Sequence, residues 1–506
     1  MSDNSRLVKN TILLYIRMLL VMAISLYTSR IVLQNLGIND YGLYEVVGSV
    51  ATMFIFLNTA MNSSTQRYLT IAIAQKDDEQ LRKIFNVSVV IHTIIGIIII
   101  SVCEIFGLWF IANKMAIPEG RELAVHWSFQ FSMIATFVTI ISVPYNALLI
   151  ARERMDAFAY ISIVDVLFKL FIAFVISVVS FDRLIFYALL LAVSQVIVRL
   201  IYSFYCNRKF PECKFKFYHF DSLYKEMTVF ASWGLLGHVA YIINTAVQNM
   251  LLNVFFTPVV NAARGIAIRV SGAITGFSEN FQTAVSPQIT KSWATNNRER
   301  TYSLIYNSTR FSIYLLWILS LPVFICMDDI LSLWLVEVPD YSNVFLRLIL
   351  VYNLIDAGAN PLNMAIRANG KIKYPEVLSS LILIMNFPLS YVALKIGYGP
   401  EYVFYILIIC RLLCLSVRLY FTNKYLGLPV NEYLKRVVLL PLGVLLLSLV
   451  IPFICAHQIT FPNVLVRIIV LSIICFVSTF VFIYSIGVTK SEKIYIHNTL
   501  KEKLFH

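Results

Sequence analysis

The chain has 506 residues, of which 59% are hydrophobic and 14% charged, with a mean hydropathy of +0.77 and a net charge of +13. Globular domains carry roughly 25% charged residues, so this composition excludes an ordinary soluble domain. A membrane barrel is excluded too, because stretches such as Ile91 to Val102 lack the alternation that barrel strands show.

A helix needs about 20 predominantly apolar residues to cross the hydrocarbon core. That criterion predicts fourteen segments in chain order, at 11–33, 42–62, 84–112, 125–150, 158–180, 184–206, 228–255, 259–284, 304–326, 344–366, 376–395, 401–423, 434–455 and 463–487. The fold class is therefore all-α integral membrane. The N-terminal apolar run lacks a small-residue cleavage site and reads as the first span rather than a signal peptide. With the N-terminus inside, the outer loops hold only Lys114, Arg121, Arg183 and Lys395, and all other loop cations fall on the inner side. Cytoplasmic loops retain Lys and Arg, so this asymmetry places both termini inside. It also accounts for the excess positive charge as a topology signal, not a nucleic-acid footprint.

No predicted loop is long enough to hold a domain. The longest inner loops lie near 63–83, 207–227 and 286–302, and the longest outer one near 327–343. Displacing the chain by 221 residues sets Ser64-Thr-Gln-Arg-Tyr68 on Val285-Ser-Pro-Gln-Ile289 and Ile84-Phe-Asn86 on Ile305-Tyr-Asn307. The offset contains an even number of spans, so the repeats share one orientation and a pseudo-two-fold axis along the membrane normal. The expected organisation is a six-helix bundle over 1–226, a second over 227–423, and a terminal helix pair with a cytoplasmic tail over 424–506. The cysteines Cys103, Cys206, Cys213, Cys326, Cys410, Cys414, Cys455 and Cys475 form no CxxC pair, and are read as small packing residues.

Polar residues inside spans are costly and normally face an interior or a cavity. In the tenth span Asn353, Asp356, Asn360, Asn363 and Arg367 share an arc of roughly 80° at 100° per residue, and Gly358 and Pro361 interrupt the same helix. The seventh span groups His238, Tyr241, Thr245, Gln248 and Asn249 on one face; the eighth groups Asn261, Arg264, Ser271, Thr275, Ser278 and Gln282; the second groups Glu45, Ser49, Thr52 and Thr59. These stripes predict a hydrated central cavity, with hydrogen-bonded helix packing as the alternative for any single hydroxyl or amide. Arg17, Arg30, Lys169, Arg264 and Arg269 lie deep in their spans. Guanidinium groups offer paired donors to phosphate, so these cations are candidate anion-binding residues. Asp165 and Lys169 stand at i and i+4, where they either neutralise each other or leave Asp165, like Asp356 and Glu45, as a relay for H+ or Na+. No Walker loop, HExxH motif or histidine pair at metal-binding spacing occurs, so the chain reads as neither an enzyme nor a metal or cofactor protein.

Four segments, Ser29-Arg-Ile-Val-Leu33, Leu36-Gly-Ile-Asn-Asp-Tyr-Gly-Leu-Tyr44, Ser63-Ser-Thr-Gln-Arg-Tyr68 and Ala284-Val-Ser-Pro-Gln-Ile-Thr290, resemble the polysaccharide-transporter branch of the multidrug/oligosaccharidyl-lipid/polysaccharide exporter superfamily. The resemblance covers nearly the whole chain and includes Wzx-type oligosaccharide flippases. It implies a MATE-like architecture of two six-helix bundles around a central cavity, in the bacterial inner membrane. It further implies alternating access that moves undecaprenyl-pyrophosphate-linked oligosaccharide for O-antigen (lipopolysaccharide), capsule or exopolysaccharide synthesis, coupled to H+ or Na+. Under it, the five deep cations would hold the pyrophosphate, and Asn353, Asn360, Asn363, Gln248 and Asn249 would contact the glycan. Membrane lipids and other polysaccharide-assembly proteins are the implied partners. The alternatives are a multidrug or organic-cation exporter, a lipid II flippase of the same superfamily, or a membrane glycosyltransferase or polymerase. The net basic interior weighs against a cation exporter, and the short outer loops weigh against an enzyme.

Overall fold

The computed structural model describes residues 3–493 except 53–54, 114, 116, 180, 215, 220, 257, 335–337, 460–462 and 490–491. Within the helices, side chains are not described at 3–9, 26, 29–30, 33, 38–39, 41–42, 45–46, 48–52, 55–60, 241, 243, 246–247, 249–250, 253, 258–259 and 261–262. The ordered elements are α1 (Asp3–Thr52), α2 (Ile55–Gln75), α3 (Asp78–Asn113), α4 (Glu122–Ala151), α5 (Met155–Val175), α6 (Arg183–Lys209), α7 (Ser222–Phe255) and α8 (Pro258–Ala294). They continue as α9 (Arg298–Ile325), α10 (Met327–Trp334), α11 (Ser342–Asn369), α12 (Lys373–Ile396), α13 (Tyr402–Leu426), α14 (Val430–Tyr433), α15 (Leu440–Gln458) and α16 (Val464–Phe482). Helices dominate because a span can satisfy its backbone groups in lipid only from within itself. Among the described residues, nine helices are long and apolar enough to cross a membrane.

The predicted segments map onto helices, but the first two share α1, with 42–62 reaching from α1 into α2, and several helix ends differ from the predicted ones. The inner loop expected near 63–83 is mostly helical, with α2 running to Gln75 and α3 starting at Asp78, and α8 continues to Ala294 past the expected end at 284. Intrahelical hydrogen bonds need no apolar side chains, so helices project beyond the hydrocarbon stretch that reveals them. The expected outer loop at 327–343 contains α10 for the same reason. Conversely, α1 is two helical pieces joined at Gly37, whose φ of 77° lies in the left-handed region that favours glycine.

The chain divides into two compact units, one of Met1–His238 with Thr290–Asn296 and the other of Val239–Ile289 with Asn297–His506. The division thus falls inside α7, and the last two membrane helices belong to the second unit. In the first unit, α4 packs on α2, α3 and α6, and α1 packs on α5. Its core gathers Leu69, Phe85, Leu148, Leu149 and Met227. In the second, α11 and α12 pack on α13, while α15 and α16 pack on each other and on α9. That last contact has a polar fastening: Trp317 Nε1 donates to Ser448 Oγ at 2.9 Å, and Ser478 Oγ donates to the Ser448 carbonyl at 2.8 Å.

A charge clasp ties the first unit together where α4 and α6 begin. The Arg121 guanidinium engages Asp40 (Nε to Oδ1, 3.0 Å) and Asp182, while Asp182 caps α6 by accepting from the Leu184 and Ile185 amides. Arg183 Nη1 donates to the Asn35 carbonyl at 3.0 Å, beside the Gly37 kink, and Asn35 Nδ2 donates to the Ala173 carbonyl at the end of α5. Partial burial alone would raise the Asp182 carboxyl, but Arg121 and the two capped amides hold it below the usual carboxylate range. A depressed folded value stabilises the protein above the unfolded value of about 4 and loses that contribution as pH falls through the folded one. Thermal melts of the purified protein should therefore decline below pH about 4, and Asp182→Asn should melt lower at neutral pH with a shallower acid decline. Parallel melting curves for the two proteins across this range would remove the clasp from the account.

Candidate functional site

The polar stripes predicted on α7, α8 and α11 resolve into two buried networks in the second unit, and α8 has in addition an open face that no predicted stripe includes. The first network centres on Arg264, which is buried in α8. Its Nη2 donates to the Thr245 carbonyl at 3.3 Å and to Gln248 Oε1 at 3.4 Å. Gln248 Nε2 donates to Asn244 Oδ1 at 3.5 Å; Asn386 Nδ2 of α12 donates to the same oxygen at 2.7 Å, and Ser390 Oγ donates to Asn386 Oδ1 at 3.1 Å. Arg264 and Gln248 are thus committed to each other inside the unit.

The second network follows from Pro361. A proline in a helix removes the donor to the carbonyl four residues earlier, here Ala357. Gln282 Nε2 of α8 supplies that bond at 3.2 Å and also donates to Ser312 Oγ at 3.0 Å, while Asn360 Nδ2 donates to Gln282 Oε1 at 3.1 Å. The neighbouring Gly358 carbonyl accepts from the buried Tyr433 hydroxyl at 3.2 Å. Asn360 therefore stands in a structural network, while Asn353 and Asn363 are half-buried on the same helix. Asp356 forms an ion pair with Arg411 of α13, whose guanidinium also lies 5.7 Å from the Tyr352 ring centroid.

The open face is the side of α8 turned away from these networks. Its core stripe is Arg264, Ala267, Ser271, Ile274, Ser278 and Gln282, all buried. At 100° per residue, Gly265, Arg269, Gly272, Gly276, Glu279 and Thr283 fall within an arc of about 80° on nearly the opposite side. Gly265, Arg269, Gly272 and Glu279 are exposed. A Cβ at Gly265 or Gly272 would meet nothing within 4 Å, so neither glycine serves packing inside the unit. Exposed faces elsewhere are apolar, such as Leu442, Leu446 and Phe453 on α15 or Ile469, Ile473 and Val477 on α16. A charged, glycine-lined face is unsuited to lipid and suited to a polar, bulky ligand.

In the first unit, Arg17 of α1 lies over the Phe158 ring of α5, 4.6 Å from its centroid. Lys169 pairs with Asp165 at 2.8 Å, and Gln195 Nε2 of α6 donates to Asp165 Oδ1 at 3.0 Å. The sequence left Asp165 either neutralised by Lys169 or available as a relay; Asp165 is paired with Lys169 on its own helix, and Asp356 with Arg411 of α13. Arg264 and Lys169 are likewise engaged by protein groups, which leaves Arg269 as the described member of the cation set with an exposed guanidinium in no ion pair. The side chains of Arg30, Glu45 and Asn249 lie outside the described residues.

Sequence reading passed over Arg199, which lies 4.0 Å from the Tyr145 ring centroid, although a guanidinium inside the 184–206 span was signal enough. It also left Glu279 among the general charges. Among the described residues Glu279 makes no ion pair, whereas Glu104 accepts from Gln130 Nε2 at 3.1 Å and Glu376 pairs with Arg367 at 3.1 Å.

Two units of membrane-spanning helices with polar interior networks define a multi-pass membrane transporter rather than an enzyme. The model of the family described as polysaccharide biosynthesis protein matches residues 7–293, more than half of the chain, and the chain belongs to that family, within the multidrug/oligosaccharidyl-lipid/polysaccharide exporter superfamily. A MatE model matches residues 233–392. No curated relative matches the sequence. Among solved structures, a MATE in the bent conformation is similar with a TM-score of 0.73 at 12% identity, over 85% of this chain and 97% of that one. An outward-facing multidrug resistance MATE family transporter of the MOP superfamily gives 0.69 at 15%, over 83% and 96%. The Vibrio cholerae MATE transporter VcmN in the bent form gives 0.66 at 15%, over 85% and 98%. At these identities the likeness is one of fold, and it agrees with the all-helical, MATE-like architecture expected from the sequence.

Proposed function

We propose that the protein is a flippase that moves an oligosaccharide linked to polyprenyl pyrophosphate across the bacterial inner membrane, for O-antigen, capsule or exopolysaccharide assembly. Both termini are cytoplasmic in this reading, as the loop cations favour, and an H+ or Na+ gradient supplies the driving force. The observation that carries it is the open face of α8: an exposed Arg269 guanidinium with no ion-pair partner among the described residues, flanked by glycines that leave space. Arg269 would hold the pyrophosphate through charge-assisted hydrogen bonds, and the glycine-lined surface would pass a hydroxyl-rich glycan while the polyprenyl tail stays in lipid. Membership in a family described by polysaccharide biosynthesis supports the glycan as cargo. With Asp165 and Asp356 already paired, Glu279 on the same face becomes the best-placed described carboxylate for the coupling ion. The test is leaflet exchange in vesicles that contain the purified protein and a fluorescent lipid-linked oligosaccharide. Exchange should exceed that of protein-free vesicles, and the mass of the lipid-linked glycan should not change. Exchange no faster than in empty vesicles would reject the flippase, and a longer or shorter glycan product would point to an enzyme instead.

A further inference from the structure

The C-terminal end of α6 carries a surface groove of about 620 Å³ lined by Leu200, Ser203, Phe204, Asn207 and Arg208. These residues recur at spacings of three and four, so the groove runs along one face of the helix. Its two ends differ in chemistry. Toward the middle of the helix, Val193, Ile197, Leu200 and Phe204 are exposed and share an arc of roughly 60°, an apolar track of the kind that faces lipid. Toward the helix end, Asn207, Arg208 and Lys209 are exposed. Asn207 Nδ2 donates to Ser203 Oγ at 3.3 Å, and among the described residues the Ser203 hydroxyl has no acceptor of its own.

Positive charge is in excess at this end. Residues 207–220 hold Arg208, Lys209, Lys214 and Lys216 against one acid, Glu212. Glu212 is buried and accepts from Arg152 Nε at 3.0 Å and Nη2 at 2.6 Å, and the next acid along the chain, Asp221, pairs with Lys83. The four cations form no ion pair among the described residues. Their segment is held in place, because the turn at Pro211–Cys213 packs back on α3 and α6. Asn86 Nδ2 of α3 donates to the Lys214 carbonyl at 3.5 Å, and Asn86 Oδ1 accepts from the Lys216 amide at 2.9 Å, while both lysines stay exposed. A lone cation at a span end reaches any headgroup phosphate, zwitterionic lipids included. Four cations with no free acid in the same segment favour a lipid whose net charge is negative. We propose that the groove is a binding site for one anionic glycerophospholipid, with an acyl chain along Leu200 and Phe204 and its phosphate at Arg208 and the Ser203 hydroxyl. Arg208 would hold the phosphate through charge-assisted hydrogen bonds, and the neighbouring lysines would add to the attraction. The site belongs wholly to the first unit and needs nothing from the flippase reading.

The test uses the full-length protein purified in a neutral detergent and needs no transport assay. Native mass spectrometry counts the lipids retained when phosphatidylglycerol and phosphatidylcholine with the same acyl chains are supplied in equal amounts. Phosphatidylglycerol should be retained in preference to phosphatidylcholine. Its affinity should fall about fivefold for each cation removed in Arg208→Gln and in Arg208→Gln/Lys209→Gln. It should also fall in Leu200→Trp, which fills the groove and leaves the charge unchanged. Arg436→Gln, which alters an exposed guanidinium paired with Glu432, should keep the full preference. Equal retention of the two lipids by the unaltered protein would overturn the proposal whether or not any variant folds. Full preference in the double variant would also overturn it, and full preference in Leu200→Trp would replace a seated lipid with a diffuse surface charge.

Discussion

Arg269→Ala should stop glycan translocation while leaving the amount of protein in the membrane unchanged, whereas Arg264→Ala should lower the amount of folded protein. The two arginines are five residues apart on α8, and sequence alone assigns them one role. Arg264 is buried and donates to the Thr245 carbonyl and to Gln248. Removing it strands buried acceptors, at a cost of about 1–3 kcal/mol, and loosens a network that reaches Asn386 on α12. Arg269 is exposed and makes no ion pair among the described residues, so its truncation leaves no orphan inside the unit. What it should lose is a charge-assisted contact to the headgroup, worth about 1.5–3 kcal/mol, which is roughly 10- to 150-fold in affinity. Leaflet exchange and membrane protein levels, measured for both variants, separate the roles. Normal exchange by a well-expressed Arg269→Ala would remove that residue from the headgroup site, and two variants with the same phenotype would show that the burial difference does not matter.

The membrane class and the all-helical fold are legible in the sequence because both follow from local composition. A run of apolar residues of span length reports a helix wherever it occurs, as at 84–112 or 463–487. The kink at Gly37 was less visible, since α1 remains helical on both sides of a single left-handed residue. The pairing of charges was legible only where it is local. Asp165 and Lys169, one turn apart, are an ion pair as their spacing allowed. Arg411 and Asp356 are separated by a helix and a half of chain, and no spacing rule connects them. For the same reason Asn386 could not be assigned to Asn244 from the sequence, although the two amides are bonded at 2.7 Å. Helical angles did locate the polar stripes of α8 and α11. They could not say which of the two α8 arginines is buried, and Arg264 is the buried one while Arg269 is exposed.

Asp356 poses the sharpest test of how far the structure changes the sequence reading. If its carboxylate serves chiefly to pair with Arg411, then Asp356→Asn leaves a guanidinium that is only 7% exposed without its counter-ion. Removing one partner of a buried pair costs about 3–5 kcal/mol, whereas replacing both with apolar groups of similar volume is often neutral or stabilising. Asp356 itself is 32% exposed, which places the expected loss toward the lower end of that range. Thermal unfolding should therefore rank Asp356→Asn and Arg411→Met well below the unaltered protein, and the double variant Asp356→Asn/Arg411→Met should recover much of the difference. The recovery is the decisive part, because two independent sites would add their losses instead. A coupling carboxylate gives a different pattern. There, Asp356→Asn would melt like the unaltered protein and lose only the dependence of leaflet exchange on an imposed ion gradient. Stable Asp356→Asn protein with gradient-independent exchange would return Asp356 to the relay role, and would then leave Glu279 without its claim to the coupling ion.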